Sequence, residues 1–274
     1  MTVLIYDHPL SPYGQKVKIA LLEKGVPFEA QLPTNLGSGE VADNFAAASP
    51  RGEVPALIDG DVTVFDSTII LEYIEDRWPE PALLPRDAAA RARSRMIEET
   101  MDTHYEAINW GLGEVTYFGR GDADALGAFA ARETAAWQAW LARQLGDRPW
   151  FEGDTFGWAD LAVIPYINGS TGFGLGPAAD SPLANWQARA NQRASVAQVS
   201  AAAETMAMGG SEAAEAGMAV VRELLERGEF KREYRDHRLE WMVRGGALEV
   251  VRDGLERDNI RFTEPFGQTI FADK

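Results

Sequence analysis

Cysteine is absent from all 274 residues. That excludes disulfides, thiolate metal sites and a cysteine nucleophile, and it points to a cytoplasmic setting. Histidine is scarce. His8, His104 and His237 stand far apart with no HExxH-like spacing, so no metal site is expected. No apolar run approaches the roughly 20 residues of a membrane span. The opening MTVLIYDHP has neither a basic n-region nor a long h-region, so no signal peptide is expected. Basic charge is in deficit: 26 Lys and Arg against 42 Asp and Glu leave a net charge of −16 at pH 7. Such a field repels nucleic acid and anionic membranes, which excludes both as partners. An anionic ligand would then need backbone donors or a helix N-terminus to hold it. Apolar residues, by contrast, are plentiful. At 46% of the chain, with eight tryptophans, they suffice for one large domain or two modest ones.

Strand and helix signals alternate at first. Val3–Tyr6 reads as a strand, Pro12–Lys24 as a helix closed by Gly25, and Phe28–Leu32 as a second strand. A short helix is predicted over Val41–Ala48, ending before Ser49-Pro50 because the residue preceding proline avoids the helical region. VPALIDGDVTVFDS reads as a hairpin, with strands Ala56–Ile58 and Val62–Phe65, and Asp66 or Ser67 then caps a helix. The order is βαβαββα over residues 1–80. RWPEPALLP, with three prolines, reads as a linker.

Residues 88–208 read as an all-helical domain. One long helix is predicted from Ala88 to about Phe118, a second over Ala123–Leu145, a third from Trp158 and a fourth from Leu183. The Gly-rich NGSTGFGLGP, Asn168 to Pro177, lacks the Gly-Lys-Ser/Thr ending of a phosphate loop and reads as a connection between helices. From Gly209-Gly210 the composition turns densely charged in both signs, and residues 209–274 are expected to form a helical extension. Its Leu248, Val251 and Leu255 fall at helical spacing and would need a surface to cover.

Ser11-Pro12 stands where the first strand hands over to a helix. Serine is a preferred N-cap and proline suits the first helical turn, so a purely structural role is available to both. Asp66-Ser67 has the same reading as a cap, and Val54-Pro55 as a turn. A Ser/His/Asp triad using His104 or His237 is disfavoured, since no G-x-S-x-G elbow surrounds Ser11.

Taken together, four stretches resemble the glutathione transferase family: SPYGQKVKIALLEKGV after the first strand, SPRGEVPAL, FDSTIILEYIED, and PWFEGDTFGWADLAVIP from Pro149 to Pro165. The first is similar to serine-type bacterial members, and the likeness spans about residues 1–205. It implies a thioredoxin-like domain followed by a helical one, glutathione as cosubstrate, a small hydrophobic electrophile as partner, and a homodimer. It implies a cis Val54-Pro55 bond and a Val54 backbone that pairs with the cysteinyl unit of glutathione. Asp66 and Ser67 would take the γ-glutamyl end, and Ser11 would donate a hydrogen bond to the sulfur. Two departures stand out. Glu53 occupies a place where glutamine or lysine is common, which alters one glutathione contact, and Gly157 replaces a capping Ser or Thr. Tyr13, His104 and Tyr105 are candidate pocket residues. The rival expectation is a non-catalytic member of the same fold used for protein contacts, as in some transcription- and translation-associated relatives.

Overall fold

In the computed structural model, which describes residues 2–34, 36, 43–207 and 212–262, apolar alternation builds the first domain. Strand β1 (Val3–Tyr6) lies between β2 (Phe28–Gln31) and β3 (Ala56–Asp59), with β4 (Val62–Phe65) on the outer side of β3. β1 runs parallel to β2, with Val3 opposite Phe28, and antiparallel to β3, with Ile5 opposite Leu57. Period-two alternation sends Val3, Ile5 and Leu57 to one face and Tyr6 and Ala56 to the other. The first face is covered by helices α1 (Pro12–Glu23) and α3 (Ser67–Arg77), through Val17, Ala20, Leu21, Ile70 and Ile74. The second face is covered by Phe45 and Ala48 of the short α2 (Asp43–Ala48). Val41, where that helix was expected to begin, lies outside the described residues.

The proline-rich linker is pinned rather than loose. Buried Lys24 donates to the carbonyls of Trp78 and Pro81 at 2.7 and 2.8 Å, and Glu75 accepts from the backbone of Leu83 and Leu84, each at 3.0 Å. Lys24 and Glu75 are themselves paired at 2.8 Å.

The second domain begins with one helical run broken by a π-helical turn: α4 (Ala88–Thr100), the turn Met101–Tyr105, and α5 (Glu106–Thr116). There follow α6 (Ala123–Leu145), α7 (Trp158–Gly172), α8 (Pro182–Asn191) and α9 (Ala194–Ala207), the last not anticipated as a separate helix. The stretch expected as a loop from Asn168 instead contributes its first five residues to the end of α7. Gly157 at the start of α7 has a steric reason. A Cβ there would lie 2.7 Å from the Leu83 carbonyl oxygen and 2.5 Å from Glu152 Cγ. Glu152 accepts from Ala159 N at 3.1 Å and so does the work of the missing capping hydroxyl.

The extension comprises α10 (Glu212–Glu226), β5 (Arg232–Glu233), α11 (Asp236–Arg244), α12 (Leu248–Glu256) and β6 (Ile260–Arg261). It is therefore not purely helical: β5 and β6 pair in parallel, Arg232 opposite Ile260 and Glu233 opposite Arg261. The expected start at Gly209-Gly210 lies outside the described residues. Trp241 of α11 packs against Gly111 of α5, where a Cβ would come within 2.1 Å of the indole. On α12 only Val251 of the predicted apolar stripe is buried, whereas Leu248 and Leu255 are exposed. Among the described residues no helix is long and apolar enough to cross a membrane.

Candidate active site

A cleft of about 2170 Å³ opens between the two domains and the extension. Its wall brings together Ser11, Tyr13, Glu53, Val54, Asp66 and Ser67, although these residues come from three separate segments.

Ser11 caps α1, its Oγ accepting from Gly14 N at 3.2 Å. Its own hydroxyl proton has no protein acceptor among the described residues, so the group remains a donor toward the cleft. The helix start is braced from behind by Asp7, which pairs with Lys18 at 2.5 Å. Gly14 makes this approach possible, because a Cβ there would stand 1.6 Å from Asp7 Oδ1. Burial raises the Asp7 carboxyl above its ordinary value despite Lys18.

The Val54-Pro55 bond is cis. Ser49 holds both backbone groups of the preceding residue, donating to Glu53 O at 2.8 Å and accepting from Glu53 N at 3.2 Å. Asp66 caps α3 with φ at 75°, the left-handed region that non-glycine residues occupy at a cost and often at functional positions. Its Oδ1 accepts from Thr68 N at 3.1 Å, while Oδ2 faces Arg51 at 3.3 Å. A carboxylate here lies beside the positive end of α3.

Beneath these residues the domains are joined by a buried polar network that the sequence did not announce. Lys16 of α1, with no exposed side-chain surface, donates to Glu98 at 2.6 Å and also to Asp102. Thr68 donates to Glu98 at 2.9 Å, Tyr166 to Asp102 Oδ1 at 2.8 Å, and Trp158 Nε1 to Glu98 Oε2 at 2.5 Å. Tyr13 joins from above, its hydroxyl donating to the Asp102 carbonyl at 2.7 Å. Burial pushes the Asp102 carboxyl up to about 6, with Lys16 opposing and Glu98 adding to the rise. Burial works against charge on Lys16 as well, but Asp102 and Glu98 overcome it and raise its value.

Four residues further on, Glu106 also lines the cleft, in different company. Arg238 donates to it twice, at 2.7 and 3.1 Å, and His237 Nε2 lies at 3.0 Å. Burial alone would raise this carboxyl; Arg238 and His237 hold it at about 2. Both partners belong to the extension, which thus forms part of the cleft.

Two sequence-predicted pocket residues are not in the wall. Tyr105 is fully buried, its hydroxyl 2.9 Å from Ser170 Oγ, and exposed His104 stacks on Trp137 with ring centroids 5.1 Å apart. The cleft-facing positions of this run include Glu98, Asp102, Glu106, Asn109 and Gly113, a helical stripe that passes 104 and 105 by. Glu53 is in the wall, 3.9 Å from Arg235 of the extension.

Residues 5–82 match the family model for the glutathione S-transferase N-terminal domain. Glutathione S-transferase Z1 of Arabidopsis thaliana is 44% identical over 89 residues, 32% of this chain and 40% of the plant protein. A stringent starvation protein A homologue of Haemophilus ducreyi is 37% identical over 96 residues, 35% of this chain and 44% of its own. The chain thus matches less than half the length of either curated relative. The solved structure of a glutathione S-transferase from Methylobacterium radiotolerans, in complex with glutathione sulfonate, covers more. It is 30% identical, spans 73% of this chain and 94% of its own, and has a TM-score of 0.63. With a cis Val54-Pro55 turn, capped helices at Ser11 and Asp66, and this likeness over nearly the whole of a solved relative, the chain belongs to the glutathione transferase family.

Proposed function

We propose that the cleft binds glutathione and promotes attack of its thiolate on a small hydrophobic electrophile. The observation that supports this best is the convergence of Ser11, Val54 and Asp66-Ser67 on one wall. Extended along that wall, the tripeptide lays its cysteinyl amide against the Val54 backbone as an added strand would. Its γ-glutamyl ammonium meets Asp66, and its α-carboxylate meets the start of α3. Arg51, now 3.3 Å from Asp66, offers that carboxylate a cation once the ammonium takes its place.

Ser11 then donates to the sulfur from the start of α1. Lowering a thiol from about 8.5 by two units needs about 2.7 kcal/mol. A hydrogen bond to a charged acceptor contributes about 1.5–3 kcal/mol and a helix N-terminus about 0.3–2. These suffice without a general base: the thiol proton leaves to solvent and Ser11 keeps its own. Serine is a donor here, not the nucleophile.

We take the protein to act as a homodimer. Ile69 of α3 and Met96 of α4 are exposed at 55% and 61%, near the bidentate Arg95–Glu72 pair that ties these helices. The interaction-module reading has one point in its favour, the likeness of the first domain to the starvation protein homologue. Titration with glutathione by calorimetry separates the two. Micromolar to low-millimolar binding, weakened about 10- to 150-fold by Asp66→Asn, supports the transferase reading; no heat at millimolar glutathione supports the module.

A further inference from the structure

The extension reaches the segment that carries Val54. Arg261 donates to the carbonyl oxygens of Arg51 and Gly52 at 3.2 and 3.5 Å, and to Glu233 Oε2 at 2.7 Å. Arg235 stands beside them, half-buried in the cleft wall.

Its neighbours hold Arg235 in place. Tyr234 is 1% exposed, donates to Glu114 Oε2 at 3.1 Å, and has its N–H on the Arg261 carbonyl at 2.8 Å. Three residues after Arg235, Arg238 is locked onto Glu106. The Arg235 carbonyl accepts from Leu239 N at 2.8 Å at the start of α11. The backbone that carries Arg235 is thus fixed on both flanks, which sets where its side chain enters the cleft.

The other extension arginines in the wall are engaged. Arg238 meets Glu106 at 2.7 Å, Arg261 meets Glu233 at 2.7 Å, Arg222 meets Glu215 at 3.0 Å, and Arg232 meets Glu114 at 2.5 Å. Arg235 alone among these approaches its nearest carboxylate, Glu53, only to 3.9 Å, too far for a hydrogen bond. A cleft with a guanidinium held ready in a protein of net charge −16 calls for an anionic group to complete it. A planar fork of N–H donors selects a carboxylate.

We propose that Arg235 of the C-terminal extension contacts the bound ligand and binds one of its carboxylates. This rests on the glutathione reading of the cleft. The carboxylate has two possible sources, the glycyl end of glutathione or the electrophile.

Calorimetry on the full chain distinguishes them. Wild type, Arg235→Leu and Arg235→Gln are titrated with glutathione, its glycyl ethyl ester, S-hexylglutathione, and the analogue of the last with a carboxylate at the end of the hexyl arm. If the glycyl carboxylate is the ligand, Arg235→Leu weakens glutathione about 10- to 150-fold and leaves the ester unchanged. If the electrophile supplies it, glutathione binds both proteins alike and only the carboxylated arm loses affinity. Arg235→Gln, which keeps length and polarity, carries the same comparison should Arg235→Leu fail to fold. Unchanged affinity for all four compounds in a folded variant overturns the role of Arg235 and leaves the glutathione reading standing. Wild type that binds none of the four overturns both.

Discussion

Asp102 and Glu106 lie one helical turn apart, face the same cleft and are almost equally hidden from water, yet they are displaced in opposite directions. Asp102 rises to about 6 and Glu106 falls to about 2. The difference lies in what surrounds them. Asp102 shares a single ammonium, Lys16, with a second carboxylate, Glu98, so one positive charge answers two negative ones in a desolvated site. Glu106 receives both arms of the Arg238 guanidinium, which reaches Glu233 only at 3.5 Å, and has the His237 imidazole at 3.0 Å as well. The family's own two domains build the first environment, and the extension builds the second. What the extension adds to the cleft is therefore positive charge, in a chain that has little of it.

The largest expected effect comes from the environment with the fewest cations. Lys16→Met strands two buried carboxylates, and breaking a buried pair costs about 3–5 kcal/mol. Urea unfolding of the variant at pH 7 measures this; a loss below about 1 kcal/mol would show that Glu98 and Asp102 are not desolvated as described. Arg238→Leu tests the other side. Without its fork Glu106 should titrate above, not below, the ordinary carboxylate value, which carboxyl-resolved NMR reads directly.

Stability against pH should carry both signatures. For Asp102 the folded value lies above the ordinary 3.8, so its contribution is complete below that pH and is lost as pH rises through about 6. At about 1.4 kcal/mol for each pH unit, the loss is roughly 3 kcal/mol at most. For Glu106 the folded value lies below the ordinary 4.5, so its contribution is complete above that pH and disappears as pH falls through about 2. Asp102→Asn should lessen the slope between pH 4 and 6, the remainder belonging to Asp160, which burial raises to about 7, while leaving the acid limb intact. A wild-type curve already flat there would remove the contrast between the two sites.

A smaller effect should follow from loosening the extension. In Gly111→Ala the new methyl collides with Trp241, and overpacking of this kind costs about 1–3 kcal/mol. If α11 is lifted, limited proteolysis should cut the extension sooner and the Glu106 carboxyl should move upward. A variant with unchanged cleavage would show that Trp241 does not anchor it.

Much of the first domain is local and so was legible. Ser11-Pro12, the hairpin over Ala56–Phe65 and the Asp66 cap each follow from a few adjacent residues, and α6 occupies the span its apolar spacing predicted. The polar floor is not local. Lys16 and Glu98 are separated by 82 residues, and Glu106 and Arg238 by 132. A signal was nevertheless present: Glu98, Asp102 and Glu106 repeat every four residues on one helical run, and like charges so spaced repel unless cations from elsewhere meet them. His104 and Tyr105 suggested themselves by side-chain chemistry, but this same acidic stripe marks which face of the run looks into the cleft. The parallel β5–β6 pair escaped notice because two-residue strands carry no periodicity.

The proposed role of Ser11 separates a cleft that activates a thiol from one that merely holds a ligand. The direct measurement is the pKa of glutathione bound to wild type and to Ser11→Ala, followed by ultraviolet absorbance of the thiolate. Wild type should hold the bound thiol near 6.5, about two units below its free value of 8.5. Loss of one charge-assisted bond should raise it by about one to two units, while capping alone costs about 0.5–2 kcal/mol of stability. Turnover at pH 7 should fall about 10- to 100-fold and recover in part at higher pH. A bound thiol with the same pKa in both proteins, alongside an unchanged pH–rate profile, would leave Ser11 as a helix cap and contradict its part in catalysis.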